Sequence, residues 1–182
     1  MEKIRNIIDT MELIHYIDKL KNKIFIFVVS GKVDIRNIIP DIIILQSFNM
    51  KVILVIGYKE AEAEDGDLRI LNESMSNTIL EVSGILKKNF LDPLPAMGTE
   101  VFAKKVRHSK LGKVVDFDLE TINFALSHHK IPLIAPLGLD NRGKYHRLDE
   151  KDVALALGTK LSAQKIFLIS DDDEIKINGN LS

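Results

Sequence analysis

Four apolar runs constrain this chain more than any other feature: IFIFVV at residues 24–29, KVILVIG at 51–57, IPLIAPLG at 131–138 and KIFLIS at 165–170. Each is short, mostly aliphatic or aromatic, and ends at or directly before a glycine or serine. A strand that is apolar at every position has to be covered on both faces, as happens in a parallel sheet between helix layers. The segments between the runs include stretches with helical spacing of apolar residues. The expected fold is therefore α/β, a three-layer α/β/α sandwich on a mainly parallel sheet, with all four strands central and buried.

The rest of the chain fits around that sheet. Ile4, Ile7, Ile8, Met11, Leu13, Ile14 and Ile17 recur at spacings of three and four, which predicts an amphipathic helix over 2–20. Residues 1–22 are thus set apart as an N-terminal helix ahead of one domain over 23–182. A second helix is predicted over 35–48, with Pro40 starting or kinking it. Residues 58–67, YKEAEAEDGD, read as an acidic loop or helix start, and 68–88 carry a mixed helical period. FLDPLPAMG at 90–98 reads as a connection, and the following twenty residues as one or two short strands. LETINFALSHHK reads as a helix capped by Asp118, residues 139–148 as a hairpin turning at Asn-Arg-Gly, and EKDVALALGTKL as a helix capped by Asp149.

Composition removes several classes of function. The 182 residues include 25 basic and 26 acidic ones, and aromatic residues make up 6%, so neither a basic stripe nor stacking platforms point to nucleic acid. Without cysteine there is no disulfide, zinc–thiolate or cysteine-nucleophile chemistry. The N-terminus is charged throughout, and no apolar run approaches the roughly 18 residues of a membrane span. A cytoplasmic chain with no membrane partner is expected. His128 and His129 are adjacent, so on a helix they diverge by about 100° and chelate poorly; a solvated helix C-terminus accounts for them better. His108 and His146 have no ligand neighbours at useful spacing. Asp171-Asp172-Asp173-Glu174 lacks the spaced oxygens and glycine of a calcium loop. Neither metal nor cofactor is expected. The basic cluster RHSKLGK at 107–113 reads as an exposed loop, with phosphate binding as the lesser alternative.

In open α/β sheets, ligands bind beyond the carboxyl ends of the strands. Those ends here are Ser30-Gly31, Gly57, Pro136 to Gly138, and Ser170-Asp171. Glycine there lets backbone N–H groups approach a phosphate, and serves equally as a plain tight turn.

Over nearly its whole length the chain resembles the N-terminal lobe of the amino acid kinase family, with its carbamate kinase-like fold. The branch is that of acetylglutamate kinase and the kinase-like domain of N-acetylglutamate synthase. The resemblance is carried by IFVVSGKVDI, LQSFNMKVILVIG, LRILNE and the long block GKVVDFDLETINFALSHHKIPLIAPLGLDNRGKYHRLDEKDVALALGTKLSAQKIFLISD. It implies departures as well as likenesses. Catalytic members place a lysine two residues before a Gly-Gly pair on the first strand; here the positions read Val28, Val29, Ser30, Gly31. A valine cannot neutralise a transferring phosphoryl group. The glycine triplet of the second strand is reduced to Gly57, followed by Tyr58 and Lys59. At the position of the aspartate that organises the catalytic lysines stands Lys151, flanked by Asp149 and Asp152.

The resemblance therefore implies no catalytic residue in this chain and a substrate site made of Gly31, Gly57, Arg69 and Asp149. Arg69 would fork onto a substrate carboxylate, with a surface pairing to Asp67 as the alternative. The expected ligand is an amino acid or N-acetylglutamate, and the expected setting arginine biosynthesis. The second, ATP-binding lobe and the synthase's acetyltransferase domain have no counterpart in these 182 residues. Three readings follow: a degenerate, non-catalytic kinase-like module; the N-terminal part of an acetylglutamate kinase that phosphorylates N-acetyl-L-glutamate with ATP; or a scaffold that binds no small molecule. A homo-oligomer is expected through the N-terminal helix or an exposed sheet edge.

Overall fold

Alternation along the central strands sorts their side chains into two cores. A computed structural model describes residues 2–58 and 68–170. Its elements in chain order are α1 (Glu2–Leu20), β1 (Ile24–Val29), a 3₁₀ turn (Ile35–Ile38), α2 (Ile39–Ser47), β2 (Lys51–Ile56), α3 (Leu68–Lys88), β3 (Pro93–Ala96) and β4 (Val101–Lys105). There follow β5 (Gly112–Phe117), α4 (Glu120–Ser127), β6 (Ile131–Ile134), β7 (Leu137–Leu139), β8 (Tyr145–Arg147), α5 (Glu150–Leu161) and β9 (Lys165–Ile169). β1 and β2 run parallel with Phe25 opposite Val52, Phe27 opposite Leu54 and Val29 opposite Ile56. Successive strand side chains leave by opposite faces. Those six enter one core, and Ile26, Val28, Ile53 and Val55 enter the other.

Helices cover both. The 3₁₀ turn, α2 and α3 lay Ile38, Ile42, Met75, Ile79 and Leu86 on the first core, while α4 and α5 lay Ile122, Leu126, Val153 and Leu157 on the second. This is the three-layer sandwich. The main sheet has the order β3-β6-β2-β1-β9 with every pair parallel. A second sheet, β5-β4-β7-β8, stands beside it and is mostly antiparallel.

Four local expectations need correction. The strand at 165–170 was expected to be central; β9 instead pairs only with β1 among the described residues and is half-buried along its length. The connection at 90–98 contains a strand, β3, at the far edge. Asp92 and Ala96 turn their carbonyls to β6, so Pro93 and Pro95 fall at the alternate positions, whose missing N–H groups point away from the sheet. The run 131–138 is two strands, broken where the Leu137 N–H turns back to the Ala135 carbonyl at 2.8 Å and the chain passes to the second sheet. Asp118 accepts from the Glu120 N–H at 3.0 Å, but the capping position itself is Leu119.

Other local choices follow the sequence. Pro40 sits in the first turn of α2, where its absent N–H costs nothing. Along α1, Met11, Leu13, Ile14 and Tyr16 are each more than half exposed, and Ile17 and Leu20 alone of its described side chains pack on the first core. The acidic stretch 59–67 and Asp171 to Glu174 lie outside the described residues. Among the described residues no helix is long and apolar enough to cross a membrane.

Candidate functional site

Chain connections from β1 and β2 leave toward the first core, through α2 and α3, whereas those from β3 and β6 leave toward the second, through α4 and α5. β2 and β6 are neighbours. The reversal falls between them, which is where an open α/β sheet forms its ligand crevice. Tyr58, two residues past β2, fills that crevice. Its side chain is buried, its hydroxyl donates to the Pro136 carbonyl just past β6 at 3.0 Å, and the Arg147 guanidinium lies 4.3 Å over its ring. Burial pushes the phenol well above its ordinary range, against the opposing pull of Arg147, so the hydroxyl remains a neutral donor. Residue spacing alone assigns Tyr58 no role. The available signal was a large aromatic residue directly after the glycine that ends β2.

The turns after β1 and β2 meet beside this plug. A Cβ on Gly57 would come within 3.2 Å of the Gly31 nitrogen and of the Val29 carbonyl oxygen, so the missing side chain lets the two turns touch. Gly31 and Gly57 are therefore brought together. Two backbone donors at this point are already engaged: Gly57 N–H with the Val29 carbonyl at 2.7 Å and Ser30 N–H with the Ile169 carbonyl at 3.0 Å. Val28 points into the second core, 3% exposed and surrounded by aliphatic side chains.

On the first-core side a cleft of about 250 Å³ opens between this turn and α3, lined by Ser30, Gly31, Lys32, Arg36, Thr78 and Glu81 among others. Arg36 is braced by Asp34, whose carboxylate accepts from both its backbone N–H and its Nη1 at 3.0 Å. The backbone bond, then the guanidinium, hold the Asp34 carboxyl below its usual range. The lining carries two cations, Lys32 and Arg36, beside two carboxylates, Asp34 and Glu81, so the cleft is polar with no net charge.

The other implied residues fall elsewhere. Asp149 caps α5, its Oδ1 accepting from the Lys151 and Asp152 N–H groups at 2.8 and 3.1 Å, so its carboxylate is committed to the helix end. Arg69 lies in the first turn of α3, and its side chain is outside the described residues. His128 and His129 close α4: His128 Nδ1 lies 2.8 Å from the Phe124 carbonyl, and His129 adopts the left-handed conformation with φ 56°. No group of three metal-ligating side chains occurs among the described residues.

No family model matches the chain. The acetylglutamate kinase of Campylobacter fetus is 23% identical over 203 aligned positions, covering 94% of this chain and 72% of its own. The amino-acid acetyltransferase of Ralstonia nicotianae is 26% identical over 195 positions, covering 86% of this chain and 43% of its own. The N-acetylglutamate synthase of Neisseria gonorrhoeae, solved with coenzyme A and N-acetyl-glutamate, superposes with a TM-score of 0.67 at 17% identity, covering 96% of this chain and 47% of that one. The chain is a homologue of the acetylglutamate kinases and has the amino acid kinase fold. It spans less than half of the acetyltransferase and of the synthase.

Proposed function

We propose that this chain is a degenerate amino acid kinase-like domain, a cytoplasmic module of arginine biosynthesis that binds an amino acid or N-acetylglutamate without transferring phosphate. The observation that carries this reading is Tyr58 closing the crevice between β2 and β6, hydrogen-bonded to Pro136 and stacked under Arg147. The buried Val28 supports it, because catalytic members of the family that the chain resembles carry a lysine there, and a valine cannot neutralise a transferring phosphoryl group. The ligand would occupy the neighbouring cleft, whose polar lining of Lys32, Asp34, Arg36 and Glu81 offers both charges of an amino acid a partner. Gly31 and Gly57 would shape that cleft and Arg69 would complete the substrate site, while Asp149 caps α5. Through the exposed Met11, Leu13, Ile14 and Tyr16 of α1 the module would assemble with a second copy of itself.

Calorimetry with N-acetylglutamate, glutamate and arginine, beside an assay for ATP-dependent phosphorylation of N-acetylglutamate, tests the reading. Saturable binding of N-acetylglutamate or glutamate without turnover supports it, and weak or no binding of arginine is expected. Turnover at a kinase-like rate overturns it. Absence of binding by all three ligands would leave a scaffold instead. Light scattering at micromolar concentration should show a dimer or larger species that weakens when residues 1–20 are deleted.

A further inference from the structure

The second sheet holds a feature that the kinase-like site does not use. Residues 102–115 carry Lys104, Lys105, Arg107, Lys110 and Lys113 and not one acidic residue, in a chain whose net charge is −1. The β4–β5 register sets Lys104 directly opposite Lys113. Like charges in that relation repel, so the sheet is built at a local electrostatic cost. β4 and β7 are paired only where Phe102 meets Leu139. Beyond that bridge the strands part, and the gap between the end of β4 and the β7–β8 turn is a concavity of about 1020 Å³.

Its lining divides by chemistry. Lys104, Lys105, Arg142 and Lys144 supply cations, and Phe102, Val115 and Leu139 supply apolar surface, Phe102 being 45% exposed and Val115 59%. The lone carboxylate of this lining, Asp140, is already saturated. It accepts from Arg142 N–H at 2.8 Å, from Lys144 N–H at 3.0 Å, and from His146 Nε2 at 2.9 Å. These bonds shape the turn that presents Arg142 and Lys144, and they hold the Asp140 carboxylate against its own turn, where four cations of the lining outnumber its single charge.

We propose that this concavity binds a small phosphorylated molecule with an apolar or planar body, its phosphates on Lys104 and Lys144 and its body on Phe102. Lysine ammonium groups act as point charges toward phosphate oxygens, and an exposed aromatic ring offers a stacking surface. The cations surround one hollow of metabolite size and do not run as a stripe, which favours a small molecule over a nucleic acid. The site is separate from the cleft at Gly31, and the proposal does not rest on the function proposed above.

Calorimetric titration of the 182-residue chain with pyrophosphate and with adenosine diphosphate tests it. Both should bind saturably, and the double substitution Lys104→Gln/Lys144→Gln should weaken both at least tenfold. Phe102→Ala should weaken the nucleotide by several-fold while leaving pyrophosphate unchanged. Lys88→Gln, at the end of α3 and outside the lining of either cavity, should leave both unchanged. All four positions are exposed, and thermal denaturation confirms that each variant is folded. No saturable binding of either probe at millimolar concentration overturns the proposal. So does binding that survives the double substitution, which would place the nucleotide elsewhere.

Discussion

The two sheets of this molecule differ most in what their strands are allowed to carry. In the main sheet, β1, β2 and β6 hold a single charged residue, Lys51, at the very start of β2. Beyond it, every residue but the partly buried Ile24 is buried between two helix layers. In the second sheet, β4 and β5 alone carry Lys104, Lys105, Lys113 and Asp116, and expose Phe102 and Val115. A sheet covered on both faces has no freedom to vary. One that is half open can hold charge and apolar surface side by side, and that is where a ligand site can be built without disturbing the fold. Substitutions should therefore separate the two sheets sharply.

The largest effect is expected at Leu54, fully buried in the middle of β2. Leu54→Ala should cost about 2–5 kcal/mol by chemical denaturation, from lost burial and the cavity left behind. Val115→Ala, on the open face of β5, should cost less than about 0.5 kcal/mol. If the two losses came out alike, the division between a committed sheet and a free one would fail.

The same division explains what was legible in the sequence. β1 and β2 are unbroken apolar runs, and burial on both faces leaves that mark directly. β9 carries an equally apolar run, but a run of apolar residues reports burial against helices and neighbouring strands without saying how many strands flank it. β3 was hidden because Pro93 and Pro95 argue against a strand unless its outer edge is known to be unpaired. Gly31 and Gly57 could be picked out as strand ends, and their contact follows from two adjacent parallel strands in register. Tyr58 could not be read as a plug. Its partner Pro136 is 78 residues away, and the crevice that it fills exists only once the strand order 6-2-1 is known. Asp149 was legible as a helix cap, and capping is what its carboxylate does. The saturated state of Asp140 depends on hairpin geometry that residue spacing does not reveal.

Tyr58→Phe is a gentler test at the junction between the sheets. The substitution removes the hydroxyl and keeps the ring under Arg147. The Pro136 carbonyl retains its second donor, Leu148 N–H at 2.8 Å, so it is not left bare. A loss of about 1 kcal/mol is expected, the ordinary net value of one hydrogen bond. A gain in stability would mean that the hydroxyl is not the latch that the geometry describes. Tyr58→Gly, by contrast, should open the crevice and be detected as new binding of a hydrophobic dye.

Asp140 gives the second sheet a signature in acid. Its carboxyl is lowered to about 2, chiefly by the bond from His146 and then by the N–H groups of Lys144 and Arg142. A carboxyl whose folded pKa lies below its unfolded value near 3.9 adds stability that is fully present above the unfolded pKa. That contribution disappears as pH falls from about 4 to about 2. Asp140→Asn should therefore flatten the stability–pH curve in that window. A curve with the wild-type slope below pH 4 would remove Asp140 from the account.

The smallest effect probes the charge placed in β4 and β5. Lys104 and Lys113 face each other across the strand pair, and replacing one by glutamate turns a repulsive pair into an attractive one. Cross-strand pairs of opposite charge contribute roughly 0.2–1 kcal/mol. Exposure and salt hold this example at the lower end. Lys113→Glu should thus stabilise the protein by a few tenths of a kcal/mol at low ionic strength, and the gain should shrink as salt is added. The same variant should bind pyrophosphate more weakly, because it brings a carboxylate beside Lys104. Stability and binding moving in opposite directions is the behaviour of a sheet whose charges serve a ligand. If Lys113→Glu destabilised the fold, or strengthened pyrophosphate binding, the lysines would have to be explained by packing alone.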